Sequence, residues 1–411
     1  TATLTQRNPN PYDGTPFYNL GYALFMQDRL EEAYEAFYKC IWNDACQHAG
    51  YLSLARIACL RGELEKGLEF IDQSLIKNYH SHTARHVKVL LLRKCGQEKE
   101  ALALIEESLL LDPFNFGCLF EKYLLLETRQ PAEAGVVLQD LQRLSRNWVH
   151  NLIEYAFDYI NTGCYAEASN LLQLSFEKAA APYPMVLYYL GWLALRQHQS
   201  SEALDYFRQA ATADPAYCFP NRIEDVGVLQ AAMALNAGDA KAPYYLGNFW
   251  YDKRQYREAI ACWERSVAID PSFPTAHRNL SLAYYNKLQD PSRARRSMET
   301  AFELDPSDAR VLMELDQLYK KLNESPLQRL ALLEKHLELV RSRDDLYLER
   351  ITLYNQLGHH KTAQELLQSY RFHPWEGGEG KVVSQYLICQ LELAKEAFLR
   401  QQYETALQHL Q

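Results

Sequence analysis

The sequence predicts an all-α fold, a right-handed α-solenoid of about ten stacked helix pairs. Three observations predict it. A Gly that follows a Leu is succeeded twelve residues on by Ala and four later by an aromatic in Gly21/Ala33/Phe37, Gly191/Ala203/Phe207 and Gly247/Ala259/Trp263. The last two copies close with Asp214-Pro215 and Asp270-Pro271, at the same distance from their Gly. Leu and Ala recur at spacings of three and four along the chain, and no stretch alternates with the period of a strand.

The spacing is that of a tetratricopeptide (TPR) repeat. Two antiparallel helices approach closely only where side chains are small, and the aromatic fills the wedge beside them. Units are expected near 14–47, 48–81, 82–115, 149–182, 184–217, 240–273, 274–308 and 344–376, with weaker ones over 116–148, 309–343 and 387–411. Between Pro215 and Gly238 the register breaks. Ile223 to Leu235 can form a helix, but Phe219-Pro220-Asn221 leaves little room for a partner, so a bend or change of pitch is expected there. The reading is therefore an array over 1–215, an irregular helix and linker over 216–239, and a second array over 240–411. At the ends, Thr1 to Asn8 reads as the tail of a second helix, and Tyr403 to Gln411 starts another and stops inside it; the chain is read as a piece of a larger polypeptide.

A formal charge of −9 and a pI near 5.8 argue against nucleic acid or an anionic membrane as the main partner. Nine cysteines, among them Cys40, Cys59, Cys95, Cys164 and Cys389, stand singly, without the close pairs of a zinc site or a disulfide framework, and are expected as small buried residues in a reducing compartment. No apolar run reaches the length of a membrane span, and no signal peptide opens the chain. His359-His360 and His80/His82 have no cysteine or carboxylate at ligand spacing, so neither metal nor cofactor is expected. Nor is there a nucleophile elbow, a catalytic carboxylate pair or a dinucleotide fingerprint, and this stretch is read as non-enzymatic.

The runs Arg7-Asn8-Pro9-Asn10-Pro11-Tyr12-Asp13-Gly14 and Tyr244-Tyr245-Leu246-Gly247-Asn248, with the loop from Phe372 to Lys381, resemble a family of large bacterial proteins. These join an N-terminal β-rich domain, similar to carbohydrate-active β-sandwich domains, to a C-terminal TPR array. The resemblance covers essentially all of this chain and none of the N-terminal domain. It implies a cytoplasmic protein tied to sugar metabolism and supplies no reaction.

In a TPR pair the first helix lines the concave groove. Its groove positions collect Tyr18, Asn19 and Tyr22, then Tyr188, Tyr189 and Trp192, then Tyr244, Tyr245, Asn248 and Tyr251, then Arg278, Asn279 and Tyr285, and finally Arg310. Such an aromatic wall suits peptide side chains or sugar faces. The bland alternative is that these rings fill gaps between helices, as most aromatics at helical spacing do. Asn248, Asn279 and Arg310 stand where cochaperone-like TPR domains clamp a terminal carboxylate, but Tyr244 replaces a Lys there and Glu314 another cation.

The loop Arg371-Phe372-His373-Pro374-Trp375-Glu376-Gly377-Gly378-Glu379-Gly380-Lys381 departs most from the formula. It lacks a P-loop ending, and Glu376 and Glu379 would repel phosphate. A docking loop is expected, with Trp375 as anchor and Arg371, His373, Glu376, Glu379 and Lys381 as polar contacts to the N-terminal domain or a ligand; the plain alternative is a long turn. The function expected is a protein-interaction scaffold for a protein or peptide segment, including its own N-terminal domain. The other reading, with carbohydrate as ligand, is the regulatory or substrate-positioning half of a carbohydrate-active enzyme.

Overall fold

A computed structural model of the chain describes residues 12–146, 148–176 and 182–411. The helix tail expected over Thr1 to Asn8 lies outside the described residues, as does the start of the run Arg7 to Gly14. Among the described residues there are 24 α-helices and no strand. No helix there is long and apolar enough to cross a membrane. The chain divides into two compact units, one up to Leu246 and one from Gly247.

The first unit pairs α1 (Thr15–Phe25) with α2 (Leu30–Cys40), α3 (Asp44–Leu60) with α4 (Leu64–Lys77), and α5 (His82–Lys94) with α6 (Glu98–Leu111). It continues with α7 (Phe116–Leu126) on α8 (Pro131–Ser145), α9 (Val149–Asn161) on α10 (Tyr165–Gln173), and α11 (Pro184–Arg196) on α12 (Ser200–Thr212). Helix α13 (Ile223–Leu235) packs on α11 and α12 and has no paired helix before it among the described residues. The irregular run that holds Phe219 and Pro220 stands where one would begin. Helix α14 (Lys241–Asp252) carries the division between the units.

The second unit continues with α15 (Tyr256–Ile269), then α16 (Pro274–Leu288) on α17 (Pro291–Leu304). Helix α18 (Ala309–Lys321) is followed by a second helix broken at His336 into α19 (Pro326–Lys335) and α20 (Leu337–Arg341). Helices α21 (Asp344–Gln356) and α22 (His360–Ser369) precede the loop, and α23 (Lys381–Leu399) and α24 (Tyr403–Leu410) follow it.

Local chemistry starts and stops these helices. Asn43, Ser81 and Asn115 accept from the backbone N–H groups of Ala45, Ala84 and Cys118 at the starts of α3, α5 and α7. Pro184, Pro274 and Pro291 open theirs with φ already set. Gly62 and Gly96, 34 residues apart in sequence, turn the chain at φ +75° and +73°, a region costly for any residue with a Cβ. The small-residue formula is a steric necessity. A Cβ added to Gly21 would lie 2.8 Å from the Phe37 ring, one on Gly191 2.5 Å from Phe207, and one on Gly247 2.4 Å from Trp263.

Candidate functional site

In the first unit the first helices of distant repeats meet. Tyr22 on α1 donates to Glu224 on α13 at 2.7 Å, and Arg56 on α3 reaches Asp158 on α9 at 3.0 Å. Asp158 also holds Nδ1 of the fully buried His86 at 3.0 Å. Arg93 on α5 grips buried Glu121 on α7 with two hydrogen bonds, 2.6 and 3.1 Å, and reaches Glu167 at 3.2 Å. Tyr159 donates to Glu121 at 2.8 Å, and Lys94 pairs with Glu167. Burial opposes the Glu167 charge, but Lys94 and Arg93 outweigh it, and the carboxyl sits below the usual glutamate range.

Four of the expected groove aromatics are corrected to core. Tyr188, Tyr189, Tyr244 and Tyr245 are buried. Tyr188 donates to Asp239 at 2.9 Å, Tyr189 donates to Asp225, and Tyr245 packs edge-on against Tyr188 with centroids 5.9 Å apart. Burial, then the facing carboxylates, pushes the Tyr188 and Tyr189 phenols well above their ordinary range. Burial likewise raises the carboxyls of Asp225 and Asp239. Tyr18 and Tyr22 are half-buried and nearly parallel at 6.5 Å; Asn19 is exposed. Trp192 is half-buried, edge-on to Tyr165 at 6.0 Å with the Arg196 guanidinium 5.5 Å from its ring.

In the second unit the expected positions stay nearer the surface. Asn248, Tyr251, Arg278, Asn279 and Tyr285 are half-buried, and Arg310 is exposed. Asn248 Oδ1 accepts from Asn279 Nδ2 and from the Trp263 indole N–H, each at 3.1 Å. Arg278 donates twice to Glu314, once at 2.6 Å, and Arg310 Nε lies 3.3 Å from the same carboxylate. Glu314, at the position where a clamp would have a cation, thus engages both guanidiniums. Tyr251 sits 5.4 Å from Trp263 and 5.1 Å from Tyr256. Beside Tyr285 a hollow of about 130 Å³ opens between α16 and α18, with Met298, Met313 and Leu318 as apolar wall and Gln317 and Lys321 at its edge. Lys321 holds its ammonium 5.3 Å from the Tyr285 ring centre. Met313, Gln317 and Lys321 were missed from sequence, although their i, i+4, i+8 spacing marks one face of α18.

The glycine-rich loop folds back on its own unit. His373 is exposed, yet its ring and backbone nitrogens both lie 3.3 Å from Asp344. Trp375 is half-buried over Gly378, where a Cβ would come within 2.4 Å of its ring, and lies 6.3 Å from Phe372. Phe372 packs on Tyr370, which stacks on Tyr347 at 3.8 Å. His373 and Trp375 thus each have neighbours within the unit, Asp344 for the first and Phe372 and Gly378 for the second. Arg371, Glu376, Glu379 and Lys381 are exposed around them.

Comparison with known proteins agrees with the repeat geometry. Residues 158–217 match the tetratricopeptide repeat family model, and residues 247–287 match a TPR repeat model. The TPR repeat-containing thioredoxin TTL4 of Arabidopsis thaliana is 31% identical over 125 residues, which are 26% of this chain and 18% of that protein, so the chain spans under a fifth of that relative's length. Among solved structures, YrrB, described as a TPR protein with an unusual peptide-binding site, is 17% identical over 59% of this chain and 95% of its own, with a TM-score of 0.21. The TPR domain of P58(IPK) is 14% identical over 93% and 99%, with a TM-score of 0.28. The chain thus carries tetratricopeptide repeats over 158–217 and 247–287, within an all-α succession of helix pairs.

Proposed function

We propose that the chain is a protein-interaction scaffold whose second unit takes an extended peptide segment across α16 and α18. The carrying observation is the hollow beside Tyr285. At about 130 Å³ it suits one apolar side chain, since an engineered cavity of about 150 Å³ holds a benzene ring. Its rim offers donors and acceptors to a peptide backbone from Gln317, Asn286 and Lys321. Glu314 between Arg278 and Arg310 disfavours a terminal carboxylate as the main anchor, because a second carboxylate there would face the first. The apolar side chain then supplies most of the affinity, and the polar rim sets direction.

Selection of a displayed random-peptide library on the chain tests this. Peptides sharing an apolar anchor are expected, and Tyr285→Ala or Met313→Lys should weaken them by about tenfold or more while the melting temperature stays close to that of the parent. Peptides that bind both variants as tightly as the parent would move the site elsewhere.

A further inference from the structure

Charge is unevenly spread over the two helices that frame the hollow. Helices α16 and α18 carry Arg278, Lys287, Arg310, Lys320 and Lys321 against only Glu314 and Asp316, in a chain whose formal charge is −9. Both carboxylates are already engaged. Arg278 and Arg310 hold Glu314, and buried Asp316 is paired with Arg329, which together with Lys320 also takes Glu349. Lys287 and Lys321 are exposed and, among the described residues, are left without a carboxylate partner.

Each of these two lysines is held over tyrosine of the preceding repeat. The Lys287 ammonium lies 4.1 Å from the Tyr256 ring centre and 5.9 Å from that of Tyr251, and the Lys321 ammonium lies 5.3 Å from that of Tyr285. A lysine in a helix's last turn also answers the helix dipole, but the dipole does not call for a tyrosine beneath it. The ring face fixes where the cation stands without using up its N–H donors. Beside the hollow, moreover, the one carboxylate of Glu314 stands among three cations, Arg278, Arg310 and Lys321.

Resting on the peptide site proposed above, we propose that its partner is an acidic segment, whose apolar anchor enters the hollow while aspartate or glutamate side chains pair with Lys321 and Lys287. Packed neighbouring helices stand about 8–10 Å apart and an extended chain advances about 3.3 Å per residue, so the two acidic positions fall about three residues apart. They meet the lysines through charge-assisted hydrogen bonds at the groove edge. The place between Arg278 and Arg310 is filled by Glu314, so the pairing uses side-chain carboxylates and needs no free C-terminus.

Two displayed peptide libraries, each with a fixed leucine and fused through its C-terminus so that no terminal carboxylate is free, test this on the full chain. One offers aspartate and glutamate at the flanking positions, the other asparagine and glutamine. The first is expected to be enriched over the second by about tenfold or more, with acidic residues about three apart. Amidated synthetic copies of the enriched peptides should lose about threefold to tenfold in affinity on Lys321→Gln or Lys287→Gln, and should weaken as salt is raised. The melting temperature should stay that of the parent, because both lysines are exposed. Equal enrichment of the two libraries, or acidic peptides bound as tightly by the Lys287→Gln/Lys321→Gln double variant as by the parent, would overturn the acidic partner; the apolar site would still stand if Tyr285→Ala weakened those peptides. Peptides indifferent to Tyr285→Ala, or enrichment of neither library, would remove the site and the acidic partner with it.

Discussion

The two units share one repeat formula and differ in what their first helices do with it. In the first unit, side-chain bonds join residues 202 apart (Tyr22 and Glu224), 102 apart (Arg56 and Asp158) and 74 apart (Arg93 and Glu167). In the second, they tie each repeat to the next: Arg278 to Glu314 across 36 residues, Lys320 to Glu349 across 29, and Asn355 to Gln385 across 30. A solenoid whose repeats touch only their neighbours has a stability close to a sum of local terms. Once distant repeats are bonded, that sum fails. Similar helix pairs can therefore be tied to the next repeat or to distant ones as well, depending on whether side chains of separate repeats complement one another.

The largest expected effect tests this directly. Glu121→Ala strips a fully buried carboxylate from Arg93 and Tyr159 and should cost about 3–5 kcal/mol, as should Asp316→Ala, which leaves buried Arg329 short of a partner in the second unit. The two should differ in reach. Hydrogen exchange should quicken in α5, α7, α9 and α10 for Glu121→Ala, but only in α18, α19 and α21 for Asp316→Ala. Equal spread in both would remove the distinction drawn here.

Next in size is the shared pair geometry. Gly191→Ala and Gly247→Ala each push a methyl into an aromatic ring and should lower stability by about 1–3 kcal/mol in chemical denaturation. Tolerance in one unit alone would mean that its helices can spread.

A smaller effect is pH-dependent. Burial opposes the charge of Glu349, but Lys320 and Arg329 hold its carboxyl below the ordinary glutamate range. Because the folded value is the lower one, its contribution is present above the unfolded value, near 4.3, and is lost as the pH falls through the folded value. Glu349→Gln should therefore flatten the acid limb of the stability profile. Asp225 and Asp239 act in the opposite sense. Burial raises their folded values, so the fold takes up their protons first as the pH falls, and their unfavourable contribution is relieved on the way down to the unfolded value. A variant profile parallel to that of the parent down to pH ~3 would show that Glu349 has no such role.

The smallest effect belongs to Arg310. It is exposed, and Arg278 already holds Glu314 with two bonds, so Arg310→Ala should change stability by less than about 0.5 kcal/mol. A larger loss would make the exposed ion pair structural.

The sequence alone determined the helix pairs and their register. Gly21, Gly191 and Gly247 stand opposite Phe37, Phe207 and Trp263, because a missing side chain and a large one sixteen residues on can be reconciled only by two helices in close contact. The helix over Ile223–Leu235 was equally legible, from its own periodicity and the proline-containing run before it. Only the tertiary structure decided what became of the first-helix aromatics. A position two residues from the pair seam can face the groove or the next repeat, and a rotation of one helix by part of a turn exchanges the two. That rotation is set by partners in the segments that follow. Asp225 and Asp239 draw Tyr189 and Tyr188 inward, whereas near Tyr285 the chain supplies Met313 and Lys321 around a hollow that stays open.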